Sequence, residues 1–178
     1  EPKVLQAFAI YSLKHDLTKG RNAIEKALRL DTANPINHAL LAMLNIDDPE
    51  SALKSLKTAL EFWQNEPEWH ALSADLYART GDVDSAEHHI NKAIKYSPDN
   101  AHLWQKNADI QLQQNDLHEA KKAIEKSATY QSSNPKIWIQ MADINRRLGN
   151  LTDAFQNIQK ASDLSPDDIE ISEHKAKF

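Results

Sequence analysis

Apolar side chains in this chain recur in short runs at helical spacing, and the runs come in pairs. Between Ala101 and Asn134, Trp104, Asn107, Ala108 and Gln111 share one face of a first run. Leu117, Ala120, Ile124, Ser127 and Ala128 share one face of a second, a period of 3.6 that predicts two amphipathic helices. Asn115-Asp116 separates them, as Gly81-Asp82 and Gly149-Asn150 separate the runs on either side. Such pairs combine a residue that tolerates left-handed backbone with one that caps a new helix. Ser97-Pro98 and Ser165-Pro166 close the second runs, because the residue before proline disfavours helix.

The pairs repeat. Pro67 to Asn100 is a unit of 34 residues, and the plan returns at Ala101–Asn134 and Pro135–Asp168. Ala74, Ala108 and Ala142 fall in step, as do Ala86, Ala120 and Ala154, then Ile90, Ile124 and Ile158, then Ala93, Ser127 and Ala161. A fixed period of this length predicts a solenoid, in which a helix pair too small to bury its own apolar face stacks on its neighbours. Counting backwards gives an earlier unit, residues 35–66, that has lost two residues near Asn45–Pro49, with Asp48 as N-cap and Pro49 opening its second helix. The first unit, residues 1–34, carries Phe8 where later units have Ala, and Gly20 where they have another. The expectation is that Phe8 packs into the space left at Gly20. Residues 169–178 are either a capping helix or the start of a sixth unit, with Ala176 in step with Ala142 and Phe178 at the end.

These marks resemble the tetratricopeptide repeat family over residues 1–168. The carrying residues are Trp104 and Trp138, the Ala positions above with Ala27, Ala52 and Ala59, and Tyr77, Gly81, Gly149, Pro98 and Pro166. Trp69 misses the tryptophan slot by one residue, and His70 occupies it. The resemblance implies an all-α fold, a right-handed superhelical α-solenoid of antiparallel helix pairs. Its first helices would line a concave groove that binds a peptide or protein segment.

By periodicity, the face opposite the core on the first helices carries His102, Gln105, Asp109, Leu112 and Gln113. Its equivalents are Glu68, Ala71, Asp75, Ala78 and Arg79, then Lys136, Ile139, Asp143, Arg146 and Arg147. Earlier it turns apolar, with Leu5, Ala9, Ile36, Ala39 and Met43. The groove residues expected to meet a partner are Ile36, Met43, Asp75, Arg79, His102, Gln105, Asp109, Gln113, Lys136, Asp143, Arg146 and Arg147. Asp75, Asp109 and Asp143 form a ladder of acceptors suited to a partner's N–H groups, Lys or Arg. Locally, Asp75 with Arg79 and Asp143 with Arg147 have i, i+4 spacing, whereas Asp109 faces Gln113 and is expected to be the most available. Chaperone-binding members of the family use a clamp of Lys, Asn and Arg. Here the corresponding stripe offers Leu5, Ala9, Leu40, Glu68 and Leu72, with Lys106 and Lys136 as isolated matches, so a Glu-Glu-Val-Asp-like tail is not the expected ligand.

Composition narrows the rest. The net charge of -5 disfavours nucleic acid, which demands clustered Lys and Arg. No apolar run is long enough to span a membrane. There is no cysteine, so disulfides are excluded and the compartment stays open. His88 and His89 are adjacent on a helix and point apart, no metal site or cofactor is expected, and no HExxH, phosphate loop or nucleophile motif occurs. Catalysis is not expected. A chain opening on Glu1 is expected to be a piece of a longer one. The main alternative is a structural array assembling with itself through its ends, which makes a homo-oligomer possible. Another is a domain that positions the rest of a larger protein.

Overall fold

A computed structural model describes residues 2–175, apart from the side chain of Glu170. Ala176 and Phe178 lie outside the described residues. Within them the chain is all-helical: α1 (Pro2–Ser12), α2 (Leu17–Leu30), α3 (Pro35–Leu44), α4 (Pro49–Phe62), α5 (Pro67–Thr80), α6 (Val83–Tyr96), α7 (Ala101–Gln113), α8 (Leu117–Tyr130), α9 (Pro135–Arg147), α10 (Leu151–Leu164) and α11 (Ile169–Lys175). They fall into two compact units that divide within α6, one ending at His89 and the other starting at Ile90.

Helix ends follow from local chemistry. Pro35, Pro49, Pro67 and Pro135 open their helices, where a missing N–H costs nothing. Asn34, Asn100 and Asn134 cap α3, α7 and α9 by accepting from main-chain N–H groups two or three residues on. Asp48 accepts from the Ser51 N–H at 3.3 Å and from its hydroxyl at 2.6 Å. The hydroxyl first, then the N–H, lowers the Asp48 pKa from its ordinary value. Asp16 caps α2 by accepting from the Lys19 N–H, which with the Lys19 side chain lowers its pKa. Asp82 caps α6 on Ser85, whose hydroxyl first and N–H second lower its pKa.

Three turns share one geometry. Gly81 and Gly149 have φ of 83° and 81°, and Asn115 takes the same left-handed region at 60°. The following N–H reaches back to the helix, from Asp82 to Tyr77, Asp116 to Gln111 and Asn150 to Asn145, at 2.8–3.0 Å. This is the Schellman closure. The shortened α3 lacks it. Arginines meet carbonyls there instead, the last residue of the helix, Leu44, accepting from Arg21 at 3.1 Å and Ile46 in the turn beyond it from Arg79 at 2.7 Å.

In the N-terminal unit, one core joins Ala9, Ile24, Ala27, Leu40 and Leu44, from α1, α2 and α3. The next joins Ala42, Ala52, Leu56 and Leu76, with Trp69 and Leu72 against it, from α3, α4 and α5. The C-terminal unit follows the same plan. Ala108, Ala120, Ile124, Ile137 and Ile144 join α7, α8 and α9, and Ala142, Ile158, Ala161 and Ile171 join α9, α10 and α11. Ile171 of α11 closes the last core as Ile137 of α9 closes the one before. Each core therefore takes a helix pair plus the next first helix, which is how a pair that cannot bury its own face becomes stable. Ser127, in step with alanines, is fully buried and donates its hydroxyl to the Ala101 carbonyl at 2.8 Å.

The expected contact between Phe8 and Gly20 does not form. Phe8 is 44% exposed. A Cβ on Gly20 would meet Leu44 at 2.7 Å, Ser12 at 2.8 Å and the Ala9 carbonyl at 3.5 Å. Ala9, not Phe8, is the buried alanine of α1. The physical reason is the turn from Leu13 to Asp16, which is built differently from the Schellman turns. Counting back across it misplaces the register by one residue, or about 100° around the helix.

Candidate interaction face

The slot of Trp104 and Trp138 is built the same way in four places. Trp104 Nε1 donates to the Pro98 carbonyl at 2.7 Å and Trp138 Nε1 to that of Ser132 at 2.7 Å. In the same slot, His70 Nε2 meets the Gln64 carbonyl at 2.9 Å and His38 Nε2 that of Thr32 at 2.9 Å. Each ring N–H reaches six residues back and ties its helix to the preceding loop. A carbonyl can only accept, so in neutral His70 the proton sits on Nε2 and Nδ1 is left as acceptor. His89 Nδ1 lies 3.0 Å from it, and the His89 ring stacks on Tyr77. His88 and His89 have their rings at 86° to one another.

The first helices are buried over a wider arc than the single face read from periodicity. Leu103 and Ile110 are buried beside Ala108 and Gln111. Several residues of the supposed outward face are also packed: Ala9, Ala39 and Ala71 are buried, and Leu112 and Ile139 lie against cores. A first helix has neighbours on its flanks as well as behind it, so only a narrow strip stays accessible. On α7 and α9 that strip holds exposed His102, Asp109, Gln113, Lys136, Arg146 and Arg147, with Gln105 and Asp143 half-buried. In the N-terminal unit, Ile36 and Met43 are exposed on α3, and α5 carries exposed Arg79 and half-buried Asp75.

The aspartates are engaged differently from the i, i+4 expectation. Asp109 accepts a hydrogen bond from Gln140 of α9, so the expectation that it is the most available rung does not hold. Asp143 lies 3.6 Å from Arg146, and 3.8 Å from His174 of α11, an ion pair when that ring is protonated. Arg147 donates to Asn115 Oδ1 at 3.1 Å rather than to Asp143, and Arg79 is taken by Ile46. Consecutive first helices of the C-terminal unit are thus stitched together along their accessible strip.

No helix among the described residues is long and apolar enough to cross a membrane. No group of three or more metal-binding side chains is assembled among them.

Repeated helix pairs, with four cores each shared between a pair and the following first helix, define an α-helical repeat protein. Tetratricopeptide repeat models match residues 47–110, 77–144 and 135–168, and the chain belongs to the tetratricopeptide repeat family. It is a protein-interaction scaffold by that membership. Solved structures agree in fold. The protein MamA is 20% identical, with 93% of this chain and 94% of that one covered, at a TM-score of 0.79. PilF of Pseudomonas aeruginosa is 16% identical over 99% of this chain and 87% of that one, at 0.84. YrrB, described as a tetratricopeptide repeat protein with an unusual peptide-binding site, is 14% identical over 98% and 91%, at 0.80. No curated protein matches significantly in sequence.

Proposed function

We propose that the accessible strip of the first helices binds an extended peptide or protein segment, with the C-terminal unit as the better-built part. The observation that carries this reading is the stitching of α7, α9 and α11 by Asp109–Gln140, Asp143–His174 and Arg147–Asn115. Side chains fixed before binding lose less entropy when a partner arrives. His102, Gln105, Gln113, Lys136 and Arg146 offer donors and acceptors for a partner's main chain, and the carboxylates of Asp109 and Asp143 keep acceptor positions for its N–H groups. Ile36 and Met43 on α3, with Asp75 and Arg79 on α5, are the corresponding positions of the N-terminal unit. The experiment is a selection from a peptide library on the immobilised protein, followed by titration. Gln105→Ala, Gln113→Ala and Lys136→Ala should each weaken the selected peptide without lowering thermal stability, and unchanged affinity in all three would reject this face.

A second reading is end-to-end assembly. Val4, Phe8 and Tyr11 are exposed on one side of α1, an apolar strip at helical spacing that suits another helix. Light scattering across a wide concentration range tests it, and a constant monomer mass would count against it.

A further inference from the structure

The turn between α4 and α5 departs from every other turn of its kind. Where the second helix ends, the chain carries Asp31, Ser97, Gln131 and Ser165, all small or polar, but at this place it carries Trp63. Four turns close without an aromatic there, so the fold does not require one. Trp63 is 45% exposed and follows Phe62, which is 52% exposed. Its backbone leaves the helical region, φ −124° and ψ 87°, and its ring lies flat on Trp69, centroids 5.6 Å apart and planes 5° from parallel. Trp69 is held by the core of Ala42, Ala52, Leu56 and Leu76, and other units carry Leu103 or Ile137 in its place. One indole is therefore anchored, and it holds the second with a face towards solvent.

The sequence around the pair is acidic. Glu61, Glu66 and Glu68 flank the two tryptophans, and the sequence holds no Lys or Arg between Lys57 and Arg79. Glu66 stands at the capping position that Asn34, Asn100 and Asn134 use for main-chain bonds, yet it makes no side-chain cap bond. None of the three carboxylates forms an ion pair among the described residues. Elsewhere the chain covers such a face itself, with Lys160 Nζ 3.6 Å above the ring of Trp138. Among the described residues no cation lies over Trp63.

We propose that Trp63, backed by Trp69 and flanked by Glu61, Glu66 and Glu68, docks an arginine side chain of a basic protein segment. A guanidinium lies flat on an indole, and tryptophan is the strongest aromatic partner for a cation. The carboxylates add attraction, and they repel anionic lipid or nucleic acid. This platform is centred on the α4–α5 turn and shares only Glu68 with the first-helix face, so it does not depend on that face binding a partner.

The test is a titration of the protein with a short peptide alternating arginine and glycine, followed by tryptophan emission and by calorimetry. A peptide with citrulline in place of arginine is the uncharged control. Trp63→Ser gives this turn the residue that Ser97 and Ser165 supply elsewhere, and its thermal unfolding should match the parent. The expected result is saturable binding of the arginine peptide, weakened roughly tenfold by Trp63→Ser. A double Glu66→Gln, Glu68→Gln variant should weaken it by a smaller factor that disappears at high salt. Equal binding of the citrulline peptide, equal affinity of the Trp63→Ser variant, or emission changes with neutral phospholipid vesicles and not with the arginine peptide would each overturn the proposal.

Discussion

His70 Nε2 lies 2.9 Å from the main-chain carbonyl of Gln64, the bond that Trp104 makes to Pro98 and Trp138 to Ser132. A histidine does the work of a tryptophan because the slot asks for a flat ring with one N–H at its far edge. His70 is only 3% exposed, so the bond is sheltered from water.

Removing that N–H while keeping a ring isolates its contribution. Trp104→Phe and Trp138→Phe should each lower stability by about 1–3 kcal/mol, combining a lost hydrogen bond with lost packing. Urea unfolding of each variant measures it, and Lys160→Ala separates the cation over Trp138 from the bond below it.

Two glycines serve opposite purposes, and alanine at each should fail for different reasons. At Gly20 a Cβ would collide with Leu44 and Ser12. Gly20→Ala should therefore destabilise in spite of about 1 kcal/mol of gained helix propensity, and Ser12→Gly should recover part of the loss. At Gly81 nothing lies within 4 Å of the added atom, but φ is +83°. Gly81→Ala should cost about 1 kcal/mol through backbone strain alone, and Gly81→Asn, the choice made at Asn115, should cost less. Thermal unfolding distinguishes the cases.

The capping aspartates predict an acid limb. Asp16, Asp48 and Asp82 have lowered folded pKa values, so their contribution is present above the ordinary carboxylate range near pH 4. It is lost as pH falls through the lower folded values. Stability measured against pH should decline below about pH 4, and Asp48→Asn should flatten part of that decline. An unchanged slope would remove Asp48 from this account.

Asp109 and Gln140 should behave as a coupled pair. A double-mutant cycle with Asp109→Ala and Gln140→Ala is expected to give an interaction of about 0.5–1.5 kcal/mol, read from denaturant midpoints. Additive effects would mean that the bond does not contribute in solution.

Much of the fold was legible because its signals are local. The turn pairs Gly81-Asp82, Asn115-Asp116 and Gly149-Asn150 specify where helices stop and start, and alanines at a constant interval specify where they approach. Register carries over the Schellman turns and slips at Leu13–Asp16, so the repeat period points to Phe8 where Ala9 is the buried residue. The strip was harder to read because alignment by period pairs equivalent residues, whereas contact joins unlike ones. Asp109 meets Gln140, 31 residues on, and Asp143 meets His174, each one helical turn short of a full repeat. That offset could have been read from the sequence by asking what lies one turn before the next equivalent position. Trp63 had no such signal, since only the neighbouring ring of Trp69 shows which way it lies.

The instruction to end α7 and begin α8 occupies two adjacent residues, Asn115 and Asp116, whose main-chain and capping bonds stay between Gln111 and Ala120, with Arg147 added to the Asn115 side chain from α9. A hairpin closed by such a device needs no remote contact to choose its geometry. Folding can thus begin at any of these turns and spread by adding neighbours, with only short loops to close. The same economy leaves the molecule's cooperativity in the shared cores, so an isolated helix pair would know its shape and still lack the means to keep it.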